Sequence, residues 1–185
     1  MQSEDGLCLQ GDRCVVVYKY IVAVIDEGLG AFCHERKSMN KYNLLLDLLP
    51  ILYPSFYCRQ DSLDNELVFL NRGQGVKDTP IIVSDKTQCE AFENHFHLFG
   101  RVKEENRLSA RELGVAISEN LVKELRGTFP GKSFVVFLTI DWNDSTIIRF
   151  HQIWENEPLY FAPQEFDYGD TEVISFFTDS SETIS

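Results

Sequence analysis

Three histidines are the first candidates for chemistry in this chain. His95 and His97 form an H-x-H pair in the segment Cys89–Phe99, whose residue pattern is compatible with either a strand or a helix. In a strand both rings point to one face, because alternate residues share a face. His151 lies on a later segment that could approach them, and three imidazoles with one open position make a catalytic zinc site. One hypothesis is therefore a small metal-dependent enzyme, although two histidines on a partly exposed strand need no metal.

A second candidate set is acidic and aromatic. Asp141, Trp142 and Asp144 lie in a short polar stretch, and Glu155 and Glu157 follow it closely. The stretch does not fit a calcium loop, because threonine and glutamine stand where the turn glycine and the bidentate glutamate belong. Surface carboxylates set the rate and specificity of association with a basic protein, and an exposed tryptophan supplies buried area. We predict that these five residues bind a partner, the alternative for Trp142 being that it folds back onto the sheet.

The charge balance narrows the kind of partner. The chain of 185 residues carries a net charge of −12, and no lysine or arginine follows Arg149. The same span holds eight acidic residues: Glu155, Glu157, Glu165, Asp167, Asp170, Glu172, Asp179 and Glu182. Binding to phosphate backbones needs a basic patch, so we predict no nucleic-acid partner. The acidic excess fits two interpretations, solubility with an acidic tail or steering of a basic protein.

The cysteines and the apolar runs bear on the compartment. The five cysteines are odd in number and show no C-x-x-C spacing, which favours free thiols in a reducing compartment. The first ten residues lack the basic and apolar regions of a signal peptide. The longest apolar run is interrupted by Lys19 and is too short to span a bilayer. We therefore expect a cytoplasmic protein with no membrane partner and no cofactor, and leave its oligomeric state open.

Two helices should help to position the candidate residues. Met39–Leu52 carries leucines at helical spacing, and Pro50 should end or kink that helix. The second helix is predicted over Ala110–Arg126, where apolar residues repeat every four positions. Ser109 and Glu112 have the spacing of a capping box at its start.

Runs of β-branched and aromatic residues predict the strands. They are Cys14–Ile25, Glu66–Asn71, Thr79–Ser84, Ser133–Ile140, Thr146–Trp154 and Glu172–Phe177. The fourth and fifth flank the polar stretch Asp141–Ser145 and predict a hairpin, and the second and third predict another. Short strands outnumber helices without regular βαβ alternation. We therefore predict an α+β fold, with a mainly antiparallel sheet and two principal helices packed on it, in a single domain over 1–185 with mobile polar ends at about 1–13 and 178–185.

The end of the predicted hairpin carries a resemblance. The segment Ile148–Tyr160, IRFHQIWENEPLY, resembles a pattern in small bacterial proteins, where a strand ending in Arg-Phe-His precedes a short acidic turn. Some of these small acidic proteins are immunity proteins of toxin systems. The resemblance implies a cytoplasmic inhibitor that binds a cognate toxin. Our leading hypothesis is a non-enzymatic, immunity-type inhibitor that occludes a basic partner, the alternatives being the metal-dependent enzyme and a structural or assembly subunit.

Overall fold

The computed structural model describes residues 41–73, 82, 84–161, 171–179 and 183–184, with backbone only for 41–45 and 183–184. The predicted strand Cys14–Ile25 and the predicted polar end 1–13 lie outside the described residues. The helices are α1 (Lys41–Leu52), α2 (Lys86–Glu93) and α3 (Arg107–Thr128). The strands are β1 (Phe56–Gln60), β2 (Glu66–Leu70), β3 (Phe96–Phe99), β4 (Phe134–Ile140), β5 (Thr146–Gln152), β6 (Glu172–Phe177) and β7 (Thr183–Ile184). The predicted α+β class is confirmed.

The larger sheet has five antiparallel strands in the order β3-β5-β4-β6-β7. Its centre is the predicted hairpin of β4 and β5, which pair from Phe134 with Gln152 to Ile140 with Thr146. Strand β6 pairs with the other edge of β4, as far as Ile140 with Glu172. Thr178, which we predicted to begin a mobile polar end, is instead buried, and its backbone N–H donates to Phe134 O at 3.0 Å.

The smaller sheet contains β1 and β2, which pair from Phe56 with Leu70 to Gln60 with Glu66. Strand β1 is not among the strands predicted from the sequence. Its five residues carry too little apolar alternation to predict a strand without the partner. The predicted partner of β2, Thr79–Ser84, lies almost entirely outside the described residues.

Helix α3 covers one face of the larger sheet. Its buried residues include Leu113, Ile117, Leu121 and Leu125. They pack against the buried face of β4, whose residues join the same apolar cluster. At Gly114 an added Cβ would lie 3.0 Å from a methyl carbon of Leu138, so the helix approaches the strand closely there. Helix α1 packs on α3 through buried Leu48 and Ile51. It ends at Leu52, as predicted, but it continues through Pro50, which does not end it.

The ends of α3 differ from the prediction. A 3-10 turn over Glu104–Asn106 leads directly into the helix, which therefore begins at Arg107. Ser109 lies inside the helix, so the predicted capping box is wrong. At the other end the helix continues past Gly127 to Thr128. The segment Cys89–Phe99, for which we left helix and strand open, contains the second half of α2 and all of β3.

Candidate functional site

The tip of the β4–β5 hairpin is a self-contained polar turn. Asp141 N–H donates to Ser145 O at 3.0 Å. Asp141 Oδ1 accepts the backbone N–H groups of Asn143 at 2.8 Å and Asp144 at 3.2 Å. The chain folds this way because aspartate side chains readily accept backbone N–H groups two and three residues on. Asp141 thus organises the turn, and Asn143 and Asp144 are the exposed residues.

Trp142 does not project from that turn. Its side chain is half-buried and packs against the apolar core. The guanidinium carbon of Arg107, the first residue of α3, lies 5.7 Å from the centre of the indole ring. The structure therefore shows the alternative in which Trp142 folds back onto the protein, and its role in binding a partner stays a prediction.

The two acidic residues after β5 differ from each other. Glu155 is exposed and forms no ion pair with any described residue. Glu157 Oε1 lies 2.5 Å from Lys86 Nζ, and its Oε2 accepts Thr87 N–H at 2.7 Å. Burial raises the pKa of this carboxyl, but the hydrogen bonds from Lys86 and Thr87 outweigh burial and lower the pKa to about 2. Glu157 therefore anchors the segment after β5 to the first turn of α2, where carboxylates are favoured.

The five predicted partner-binding residues lie near the two ends of β5. Strand β5 begins beside the tip that holds Asp141, Trp142 and Asp144, and it ends just before Glu155 and Glu157. Its seven residues span about 20 Å, since a strand rises about 3.4 Å per residue. The five residues therefore form two groups at the two ends of β5, and their role in binding a partner stays a prediction.

The ion pair of Glu157 predicts a pH-dependent effect on stability. Because the folded-state pKa lies below the usual 4.5, the pair stabilises the fold above pH 4.5 and loses this effect as pH falls toward 2. We expect Glu157→Gln to lower the free energy of unfolding by about 1–2 kcal/mol at pH 6 and by less at pH 3, allowing for solvent screening. Urea unfolding at both pH values measures this. Glu155→Gln is the control and should stay within about 0.5 kcal/mol at both; a Glu157 effect equal at pH 6 and pH 3 would contradict the assignment.

The structure also separates the three histidines. The rings of His95 and His97 lie 5.5 Å apart, centre to centre. His151 is buried, its Nδ1 lies 2.6 Å from Gln152 O, and its Nε2 accepts the N–H of Tyr160 at 3.2 Å. Both ring nitrogens of His151 are thus engaged by the backbone, and burial lowers its pKa. Within the described ranges no three His, Cys, Asp or Glu side chains are placed to hold a metal ion, so the hypothesis of a metal site from these three histidines is wrong.

Comparison with known proteins gives a plain result. The chain matches no family model, no curated protein and no solved structure. Of the helices that the structure describes, none is long and apolar enough to cross a membrane.

Sequence reasoning missed an exposed leucine in the turn between β1 and β2. Asp61 is buried, and its Oδ1 accepts the N–H groups of Leu63 and Asn65, each at 2.8 Å. This turn holds Leu63 with 78% of its surface exposed and Asp64 exposed beside it. The sequence does show an apolar residue inside the polar turn Asp-Ser-Leu-Asp-Asn. It does not show where that turn lies relative to the other strands and helices.

That turn lies at the same end of the molecule as the segment after β5. The backbone oxygen of Glu66 accepts Gln152 Nε2 at 2.8 Å, which joins the first residue of β2 to the last residue of β5. The turn before Glu66 and the segment after Gln152 therefore begin next to each other. We call the surface that they form the exit face, and its exposed residues include Leu63, Asp64, Ile153 and Glu155.

The lysines beside the exit face are already paired. Lys86 Nζ contacts Glu157, and it also lies 5.0 Å from the centre of the Trp154 ring. Lys132 Nζ lies 3.0 Å from Glu66 Oε1. Asp64 and Glu155 form no ion pair with described residues, so the exit face presents uncompensated negative charge next to exposed apolar side chains.

Proposed function

We propose that this chain is a non-enzymatic binding protein of the immunity type, which inhibits a basic protein by covering part of its surface. The observation that carries the proposal is the exit face. Leu63 and Ile153 are 78% and 39% exposed beside Asp64 and Glu155, which form no ion pair with any residue that the structure describes. A partner with an apolar side chain framed by lysine or arginine would complement this surface in both shape and charge. The free thiols of Cys58 and Cys89 fit a reducing compartment, so the proposal includes the cytoplasm.

The turn that carries Leu63 supports a binding role because it is held in place. Both backbone hydrogen bonds to Asp61 exist in the unbound protein, and Asn65 Nδ2 also donates to Asp61 Oδ2 at 2.8 Å. Binding would therefore cost little conformational entropy in this turn, because the turn is already ordered. Burial of Leu63 would supply apolar area, while Asp64 and Glu155 would raise the association rate.

The hairpin tip fits a basic partner less well. Arg107 lies over Trp142, and Arg111 pairs with Glu172 at 2.6 Å at the start of β6. Arg107 thus brings a positive charge close to the tip, whereas Arg111 is already paired with Glu172. The tip is consequently the matched control for the exit face, with an exposed aspartate of its own at position 144.

The test compares an exit variant, Leu63→Ser with Asp64→Asn and Glu155→Gln, against the tip variant Asp144→Asn. Each is co-expressed with the products of the neighbouring genes, one of which should arrest growth when expressed alone. We expect wild type and the tip variant to restore growth and the exit variant to fail. Calorimetry with the purified partner should show affinity reduced at least about tenfold in the exit variant, since central apolar contacts and charge pairs together exceed 1.4 kcal/mol.

Two results would contradict different parts of the proposal. An exit variant that restores growth and binds like wild type would show that the exit face is not the interface. A wild-type chain that binds and protects against none of the neighbouring products would overturn the immunity role itself. Thermal unfolding of each purified variant shows whether the substitutions leave the fold intact.

A further inference from the structure

Arg149 is the last basic residue of a chain whose net charge is −12. It lies on β5 between Ile148 and Phe150, which face the core, so its side chain belongs to the opposite face of the sheet. Its guanidinium carbon is 5.6 Å from the centre of the Tyr160 ring and 6.0 Å from that of Phe161. Across the described ranges no carboxylate pairs with it. Two aromatic rings therefore hold the guanidinium in place while its N–H groups stay available.

Two imidazoles lie next to this guanidinium. His97 pairs with Ile147 across β3 and β5, and Arg149 is two residues further along β5 on the same face. Burial lowers the pKa of His97, and the neighbouring charges of His95 and Arg149 lower it further. Arg72 adds a smaller effect of the same sign, and Asp144 opposes them. His95, His97 and Arg149 thus form a cluster at the β3 edge of the sheet.

An exposed aromatic ring borders the cluster. Phe92, near the end of α2, is 67% exposed, and its ring centre lies 5.7 Å from that of His95. Arg72 is not a free donor, because its Nη2 donates to the backbone oxygens of Glu93 and His95. It therefore fixes the loop that carries His95 and contributes positive charge.

The chemistry of these groups selects a ligand class. An arginine stacked on aromatic rings presents a planar fork that matches the oxygens of a phosphate. A neutral imidazole has one N–H group, which His97 can donate to an oxyanion, whereas the Nδ1–H of His95 is already donated to Phe92 O. An exposed phenylalanine beside them offers a face on which a flat ring can stack.

The geometry points to a binding site in which Arg149 and His97 hold the phosphate group of a small aromatic phosphate ester, with Phe92 against its ring. The site is built from β3, β5 and the end of α2, and it contains none of the exit-face residues. It is therefore independent of the proposed inhibitor role, and either one can fail without the other.

The test titrates the full-length chain with phenyl phosphate, inorganic phosphate and phenol, and follows the imidazole signals of His95 and His97 by NMR. We expect phenyl phosphate to bind more tightly than either of the other two. A bound phosphate should also raise the pKa of His97, because negative charge favours the imidazolium form. Arg149→Gln should weaken binding at least about tenfold, since hydrogen bonds to charged groups are the stronger ones. Arg149→Lys should also weaken it, because it keeps the charge and loses the fork.

Lys123→Gln, which removes an exposed positive charge from α3, is the control and should bind like wild type. Histidine signals that do not move with phenyl phosphate would overturn the site. Equal affinity for phenyl phosphate and inorganic phosphate would overturn the role of Phe92, and equal loss in Lys123→Gln would show attraction by net charge alone. His97→Gln is the second variant, and it should weaken binding even if Arg149→Gln fails to fold.

Discussion

Replacing Glu90 with alanine should lower the free energy of unfolding by about 3–5 kcal/mol, the cost of breaking a buried charged network. The Glu90 side chain is fully buried in α2. Its Oε1 accepts Val68 N–H at 2.7 Å and Gln152 Nε2 at 2.6 Å. Its Oε2 accepts Gln152 N–H at 2.8 Å and Trp154 Nε1 at 3.1 Å. Alanine would leave these four donors without an acceptor inside the protein.

Glutamine at position 90 distinguishes the ionised carboxylate from a protonated one. Burial raises the pKa of Glu90, but hydrogen bonds from Val68, Gln152 and Trp154 oppose that effect. The four N–H donors need four acceptor lone pairs, which only the ionised carboxylate supplies. In glutamine the amide NH₂ is itself a donor, so it would face N–H groups and bond none of them. We therefore expect Glu90→Gln to be nearly as destabilised as Glu90→Ala in urea unfolding. A Glu90→Gln protein as stable as wild type would show that the group is a neutral acid.

The matched control for both variants is Glu93→Ala, which removes an exposed carboxylate from the same helix. It should change the free energy of unfolding by no more than about 0.5 kcal/mol. A loss at Glu93 comparable to that at Glu90 would mean that helix α2 itself, and not the buried network, determines the effect.

The network explains how the two sheets are joined. Asn94 continues the pattern set by Glu90 one helical turn earlier. Its Oδ1 accepts Leu70 N–H at 2.8 Å, and its Nδ2 donates to Val68 O at 2.9 Å. The side chains of Glu90 and Asn94 thus bond the backbone groups at the free edge of β2, as a neighbouring strand would. Backbone groups buried at a sheet edge need such partners, which makes α2 part of the sheet junction.

The regular elements could be predicted from the sequence because their signals are local. Strands β4 and β5 are continuous apolar and β-branched runs around a polar turn, and α3 repeats its apolar residues at helical spacing. The start of α3 could not be predicted correctly, because the 3-10 turn Glu104–Asn106 satisfies the entry to the helix without a side-chain cap. Strand β1 depends on its pairing with β2, which local residue patterns do not reveal.

The candidate sites could not be predicted because they depend on contacts between distant segments. Asp144 and Glu155 are close in sequence, yet a hairpin strand places them at opposite ends of the sheet. Leu63 and Ile153 are far apart in sequence, yet the hydrogen bond between Gln152 and Glu66 brings their segments together. Residue type suggested acidic recognition, but only the tertiary structure determines which carboxylates remain unpaired.

The second large effect is expected at Phe150, whose replacement by alanine should cost about 3–5 kcal/mol. This ring is fully buried on the core face of β5. Its centre lies 5.8 Å from that of Phe56 on β1 and 6.4 Å from that of Phe134 on β4. Alanine would open a cavity between the two sheets that rigid neighbours cannot fill. Phe92→Ala, which removes a largely exposed ring, is the control and should have little effect on urea unfolding.

A double-mutant cycle separates the contact between the sheets from the cavity. The rings of Phe56 and Phe150 meet edge to face at an angle of 89° between their planes. Such pairs contribute about 0.5–1.5 kcal/mol beyond apolar burial, so Phe56→Ala and Phe150→Ala should be non-additive by about that amount. Strictly additive losses would contradict a direct contact between β1 and β5. Phe56 and Glu90 contact the larger sheet from opposite sides of β2. If both substitutions lower the midpoint of one shared urea-unfolding transition, the small sheet unfolds together with the large one.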